Sequence, residues 1–309
     1  MNIVFFGTAD FAVPSLEALI SAGHTVLAVV TQPDKPTGRG MQLAASPVKK
    51  AAERFGLKVI QPRRVRSESF IEKVRALAPD LLVVAAFGQI VPQSLLDIPP
   101  LGPINVHGSL LPAFRGAAPI QRAIMAGEAR TGVTTMWMDA TLDTGDILLQ
   151  VETPILPEDT TGTVFPRLAE LGAGLLIETI ERLRSGNIRR QPQDDALSSQ
   201  APKIDPADCE LRWTETAKEC RNRIRGLSPR PGAVTVIAGK RLKVWNAEVI
   251  EEITELETGS VIGISKLPAG LKIAAGNGTV LLLTEIQPEN GKRMSADAWA
   301  RGVKISALA

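Results

Sequence analysis

The segment Ile104-Asn105-Val106-His107 reads as a short strand, and alternation along a strand carries Asn105 and His107 to the same side. Ligands collect at the carboxyl ends of strands in open α/β sheets, so an amide and an imidazole are delivered together where a substrate can meet them. Beyond a β-rich stretch, Leu142-Asp143-Thr144-Gly145-Asp146 places a carboxylate in a glycine-bearing turn. An amide donor, an imidazole and a carboxylate can hold an oxyanion, assist proton transfer and fix the imidazole's charge state, which is what acyl transfer to an amine requires. A lone histidine is more often structural than catalytic, so His107 carries this reading only together with its two companions. No serine or cysteine sits in a recognisable nucleophile elbow, which favours direct transfer over a covalent acyl-enzyme. Two cysteines, Cys209 and Cys220, without C-x-x-C spacing, and two histidines, His24 and His107, make neither a disulfide framework nor a metal site; no metal is expected. Gly7-Thr8-Ala9-Asp10 has only the first glycine of a dinucleotide fingerprint, against a nicotinamide or flavin role.

The elements that position these groups follow from periodicity and punctuation. Ile3 to Phe6 reads as a strand, Pro14 to Ala22 as a helix with early proline and Gly23 as its cap, and Thr25 to Val30 as a second strand. Apolar runs at Leu81 to Ala86 and Ile104 to Val106, and the β-rich Gly132 to Met138, alternate with helical stretches. One helix starts at Ser46-Pro47 and ends near Phe55; another is expected to start near Ser69, with Glu72 at capping-box spacing. The pattern predicts an α/β fold: a Rossmann-like, mostly parallel sheet with helices on both faces. A long helix over Thr163 to Arg184 closes this first domain, residues 1–189. Residues 190–206, rich in Pro, Gln, Ser and Asp, read as an exposed linker. From 207 to 309 short strands at intervals, with Asn277-Gly278 as a hairpin turn, suggest a small C-terminal β-barrel, OB-like, or a sandwich.

At 309 residues, with 44% hydrophobic and 22% charged side chains, the chain has the composition of an ordinary soluble globular protein, and disorder, collagen and coiled coil are excluded. The longest strictly apolar run, Leu81 to Phe87, is far too short to span a bilayer, and a cytoplasmic protein with no membrane association is expected. The net charge of +2 argues against a polyanionic partner until it is resolved along the chain. Residues 35 to 66 hold nine basic side chains against Glu53 alone, and residues 218 to 243 hold eight against Glu219 alone, so the remainder is acidic. Each island is either a nucleic-acid footprint or a solvated face balanced by acids folded beside it.

Three motifs in order carry a resemblance: Asn105-Val106-His107-Gly108-Ser109-Leu110-Leu111-Pro112, Arg115-Gly116-Ala117-Ala118-Pro119-Ile120, and Leu142-Asp143-Thr144-Gly145-Asp146. Together they closely resemble the folate-dependent formyltransferases. The resemblance implies that Asn105, His107 and Asp143 are catalytic and that the formyl donor is 10-formyltetrahydrofolate, a co-substrate. It places the folate at Ser109, Leu110, Leu111 and Pro112, with Phe87, Gly88 and Ile90 of the strand-end loop and Asp139. The C-terminal domain and the loop Thr31 to Gly40 resemble the branch of the family that formylates initiator methionyl-tRNA for translation initiation. That branch implies tRNA contacts at Arg39 and Lys35 in the loop and at Arg221 and Arg223 in the second domain, and a monomer suffices for it. The family also includes enzymes acting on other amines, such as amino-sugar nucleotides, against which the basic loop and second domain count. A catalytically silent nucleic-acid-binding protein would explain the basic islands but not the catalytic motifs.

Overall fold

The computed structural model describes residues 1–37 and 42–303. Contacts divide the chain into two compact units. Unit 1 comprises Met1–Pro119, Arg130–Pro154 and Phe165–Pro202; unit 2 comprises Ile120–Ala129, Ile155–Val164 and the chain from Lys203 onward.

In unit 1, strands β1 (Asn2–Gly7), β2 (Thr25–Val30), β5 (Val59–Ile60), β6 (Leu81–Ala85) and β7 (Pro103–His107) run parallel, and β8 (Arg130–Trp137) and β9 (Ile147–Pro154) extend the sheet antiparallel. The order is β5-β2-β1-β6-β7-β8-β9, a mostly parallel, Rossmann-like sheet. Ile3 to Phe6 are fully buried, alternate residues included, because helices cover both faces. On one face Val4, Phe6, Leu82 and Val84 pack with Val65, with Phe70 and Val74 of α3 (Glu68–Arg75), and with Leu95 and Leu96 of the short α4 (Gln93–Leu96). On the other lies α6 (Thr161–Arg184), which approaches β7 and β8 through Gly172: a Cβ there would come within 2.9 Å of Val106 and 3.3 Å of Val133. With Val106 committed to α6, strand alternation turns Asn105 and His107 to the opposite face.

Helix starts follow local chemistry. Helix α1 (Val13–Ser21) carries its proline in the first turn, and α2 (Pro47–Arg54) is capped by Ser46, whose hydroxyl accepts from Lys49 N–H. Helix α3 begins after Ser67, two residues before the Ser69 expected from the capping-box spacing, so Ser69 lies inside its first turn. A small antiparallel pair, β3 (Lys35–Thr37) and β4 (Gln42–Ala44), stands at the end of β2, and Arg39 between them lies outside the described residues. The 190–206 stretch does more than connect. Residues up to Pro202 group with unit 1, Gln191 bridges to Ile147 by reciprocal backbone hydrogen bonds of 2.8 and 2.9 Å, and Ala201 is fully buried.

Unit 2 is an antiparallel domain of the small-barrel class. Its strands β10 (Ala233–Ile237), β11 (Lys240–Ile253), β12 (Val261–Lys266), β13 (Ala269–Ala274) and β14 (Thr279–Pro288) run in the order β10-β11-β14-β13-β12, with β15 (Met294–Ser295) beside β14. Asn277 and Gly278 both adopt left-handed backbone between β13 and β14, as the hairpin reading requires. Strand β11, at 14 residues, runs far beyond the strand-like piece Leu242–Trp245, because its second half carries the exposed acids Glu248, Glu251 and Glu252 and lacks an apolar pattern. Helix α7 (Ala217–Leu227) opens with a full capping box, Thr216 with Glu219, and buries Cys220, Ile224 and Leu227 against Leu242, Leu271 and Leu281. Burial pushes the Cys220 thiol up to about 12, so it stays neutral and inert.

Arg122, on α5 (Pro119–Ala126), donates to both oxygens of Asp208 at 2.8 and 2.5 Å, and those bonds hold the Asp208 carboxyl below its ordinary range. A carboxyl with a depressed folded-state value contributes stability that is present above its unfolded value, about 4, and is lost as pH falls through the folded one. We expect Asp208→Asn to lower the urea midpoint at neutral pH and to flatten its fall on acidification. Equal acid sensitivity in mutant and parent, measured by urea titration across that range, would remove Asp208 from the account.

Candidate active site

Strand β7 delivers Asn105 and His107 side by side, about 7 Å apart along the strand. Asn105 is partly exposed and its side-chain amide makes no hydrogen bond among the described residues, which leaves a donor available at the strand end. His107 is 94% buried and both ring nitrogens are addressed. Nε2 lies 3.0 Å from the carbonyl oxygen of Phe114, and a carbonyl only accepts, so Nε2 carries the proton. Nδ1 faces Asp143 Oδ2 at 3.6 Å, close enough for charge to be felt and too long for a formed hydrogen bond.

Asp143 reaches this position from a turn in which its own backbone is left-handed, φ +56°, a conformation that Asp and Asn tolerate better than most residues. The chain can pass there because Gly145 has no side chain: a Cβ would sit 1.8 Å from the carbonyl oxygen of Trp137. The Asp143 carboxylate accepts from Gly116 N–H at 2.9 Å. Asp139 binds its own loop, accepting from the Thr141 amide at 3.0 Å and from the Thr144 hydroxyl at 2.9 Å.

The loop after β7 is locked from below. Ser109 is fully buried and donates to the carbonyl of Ala113 at 2.7 Å; Thr134 donates to the Ser109 carbonyl at 2.7 Å and accepts from Leu111 N–H at 3.1 Å. Gln150 donates to the Leu111 carbonyl at 2.9 Å. Leu111 packs with Met136 and Ile147, while Leu110 and Pro112 stay partly exposed. The neighbouring loop after β6 turns through left-handed Ala86 and Gly88. Of the residues assigned there to folate, Phe87 points into the core, edge-on to Phe6 at 5.3 Å, and its carbonyl accepts from Thr8 and Gln32; Ile90 is 79% exposed. Because Ala85 pairs in register with Val106, the two loops stand side by side at the sheet's carboxyl edge.

Sequence reasoning missed the supports: Thr134, Gln150, Gln193 and the Phe114 carbonyl. None of them carries a local signal: Thr134 meets the loop because it lies opposite His107 in the β7–β8 register, and the others likewise depend on pairings across the chain. Of the basic residues, Lys35 donates to Gln32 Oε1 at 2.5 Å. Arg221 donates to the carbonyls of Ala247 and Pro157, and Arg223 pairs with Glu215 at 2.6 Å and donates to the carbonyl of Asp208. Their guanidiniums are engaged within unit 2, and the exposed cations of the second island are Lys218, Arg230, Lys240, Arg241 and Lys243, of which Lys243 donates to the Pro231 carbonyl at 2.8 Å. Arg293, outside both islands, stacks on Trp245 at 3.9 Å. Among the described residues no group of three or more His, Cys, Asp or Glu gathers as a metal cluster, and no helix is long and apolar enough to cross a membrane.

Comparison with known proteins agrees with this architecture. Residues 1–180 match the formyl transferase family and residues 203–304 match the formyl transferase C-terminal domain. The methionyl-tRNA formyltransferase of Syntrophus aciditrophicus is 50% identical over 306 residues, covering 99% of this chain and 97% of that protein; that of Bacillus subtilis is 47% identical, covering 99% and 96%. Among solved structures, the N-formyltransferase from Helicobacter canadensis in complex with folinic acid and dTDP-3-aminofucose superposes with a TM-score of 0.68 at 20% identity, covering 93% of this chain and 99% of that one, a likeness of fold. With both halves matched and relatives near half identity from end to end, the chain belongs to the methionyl-tRNA formyltransferase family of formyl transferases.

Proposed function

We propose that the protein transfers the formyl group of 10-formyltetrahydrofolate directly to the α-amino group of methionyl-initiator tRNA, in the cytoplasm and in the service of translation initiation. The observation that carries this reading is the convergence of Asn105 and His107 at one strand end with the Asp143 carboxylate 3.6 Å from the ring, in a chain whose relatives near half identity are named for that acceptor. What supports a folate donor at the loops after β6 and β7 is the apolar surface they offer there, exposed Ile90 and half-buried Leu110 and Pro112. Within that frame Phe87 contributes through its backbone and Asp139 holds the shape of its loop, while Ser109 and Leu111 fix the loop from inside.

The acceptor amine, whose kind titrates near pH 8, attacks in its neutral form. Asn105 donates to the formyl oxygen as negative charge develops on it, an interaction worth more in the transition state than in the ground state. His107 stabilises the same charge or, exchanging the Phe114 carbonyl for substrate, relays the proton lost by the amine to N10 of the folate, whose bond to the formyl carbon breaks as the tetrahedral intermediate collapses and tetrahydrofolate leaves. Asp143 orients the ring and supplies the compensating negative charge.

For the acceptor, Arg39 and Lys35 of the loop after β2 are assigned to tRNA, joined by the exposed cations of the second island; Arg221 and Arg223 act there by holding the surface in shape. The deciding assay supplies purified protein with 10-formyltetrahydrofolate and either methionyl-tRNA or an amino-sugar nucleotide. Formylation of the tRNA alone is expected; preference for the sugar nucleotide would transfer the chain to the other branch. Arg39→Ala should weaken use of tRNA while sparing the folate KM, and affinity should fall steeply with salt as counterions are released. A salt-independent affinity would return both islands to solvated faces.

A further inference from the structure

We infer that Gln193 is a positioning residue of the formyl-transfer site, clamping the turn that carries Asp143 to the loop that receives its carboxylate; this rests on the roles proposed above for Asn105, His107 and Asp143. The Asp143 carboxylate is held between two irregular segments, its own turn over residues 139–146 and the loop over 113–118 that offers Gly116 N–H and the Phe114 carbonyl. Neither is a regular element, so some third group has to fix one against the other, because a misplacement of about 1 Å in such a constellation costs on the order of a hundredfold in rate.

One side chain spans them. Gln193 Nε2 donates to the carbonyl of Asp143 itself at 2.9 Å and to that of Gly145 at 2.7 Å, while its Oε1 accepts from Arg115 Nε at 3.0 Å and Nη2 at 2.8 Å. Two carbonyls on one end and a guanidinium on the other leave the amide a single satisfactory orientation. Arg115 is the residue before Gly116, so the path from the backbone of Asp143 to the group that binds its carboxylate runs through Gln193. Both ends are anchored. Gln191 bridges to Ile147 at the start of β9, Arg115 is 95% buried and pairs with Asp195 at 2.8 Å, and its backbone is bonded to Ser199 and Ala201. Sequence alone reads this stretch as solvent-exposed connection.

The test compares Gln193→Ala, Gln193→Glu and Asp143→Asn in the full-length protein, by steady-state formylation of methionyl-tRNA and by NMR of the imidazole carbons. Only two histidines occur, so His24 is an internal standard for His107. Gln193→Ala should lower kcat by about tenfold or more with both KM values within about twofold, and should displace the His107 resonance while leaving that of His24 in place. Gln193→Glu keeps an oxygen for Arg115 and replaces the donor to the two carbonyls by a second acceptor; it should show the same pattern, and it decides the matter if the alanine variant does not fold. Wild-type kcat and an unmoved His107 signal in the folded variants, or a loss confined to KM, would overturn the clamp. If Asp143→Asn inactivates while both Gln193 variants run at the parent rate, the clamp alone fails; if Asp143→Asn is fully active, the catalytic assignment fails and the clamp with it.

Discussion

Asn105→Ala is expected to reduce turnover by a factor of about a hundred to a thousand, the usual consequence of deleting one donor to a developing oxyanion. The size of the effect follows from where the amide stands. Its neighbours Ile104 and Val106 are buried, its strand is hydrogen-bonded on both sides, and no internal partner occupies the amide among the described residues. The strand fixes the position from which the amide reaches out, and an amide with no internal partner gives up no other hydrogen bond as charge develops. The same geometry predicts what the substitution leaves alone. Asn105 packs no core cluster and holds no loop, so the melting temperature and the KM for methionyl-tRNA should change little, and the loss should appear in kcat and kcat/KM together. Turnover within twofold of the parent would remove Asn105 from the oxyanion role.

The difference between what could be read in the chain and what could not is physical. Period-two alternation is local and puts Asn105 and His107 on one face without reference to any tertiary contact; the committed face of Val106 against Gly172 is the structural counterpart of that alternation. The Asp143 turn was legible only through the resemblance its motif carries, because a carboxylate near a glycine is also what an ordinary turn contains and Asp146 stands in the same segment. The parallel sheet was legible because strands buried on both faces are apolar throughout, as Ile3 to Phe6 and Leu81 to Ala85 are. By contrast, Gln193 meets Arg115 across 78 residues and Asp143 across 50, and nothing local in Gln191-Pro192-Gln193 distinguishes a clamp from a tether. Charge was half legible. The island at residues 218 to 243 is real, but a sequence does not show which guanidiniums will find acceptors, and the acceptors of Arg221 and Arg223 lie on β11, in the loop before α6 and in the approach to α7. Helix α3 shows the limit of cap patterns: Ser69 has Glu72 at capping-box spacing, yet the helix starts after Ser67, which has Phe70 at that spacing and makes no side-chain cap bond, while Phe70 and Val74 are buried in the core.

Asp143→Asn is the second large effect, and asparagine is the informative replacement. The backbone at position 143 is left-handed, so alanine would add strain to whatever chemistry it removed, whereas asparagine accepts that conformation and differs from aspartate chiefly in charge. The side-chain oxygen of asparagine can still accept from Gly116 N–H, and the backbone carbonyls held by Gln193 are unchanged. What changes is the charge beside His107 Nδ1, since the Oδ2 that accepts from Gly116 is also the atom that faces the ring. Either the remaining oxygen keeps the Gly116 bond and the new NH2 lies elsewhere, or the NH2 group confronts a ring that has lost its compensating negative charge. In both arrangements the imidazole, whose Nε2 proton is already given to Phe114, no longer has a carboxylate to balance positive charge as the formyl oxygen becomes anionic. A proton-transfer group deprived of its partner forfeits a contribution on the order of a hundredfold or more, so kcat should fall by at least that factor while the protein remains folded and binds tRNA with unchanged salt dependence. Retained turnover in Asp143→Asn, alongside loss in Asn105→Ala, would reduce the site to an oxyanion donor with a structural carboxylate, and would move the proton from His107 to solvent.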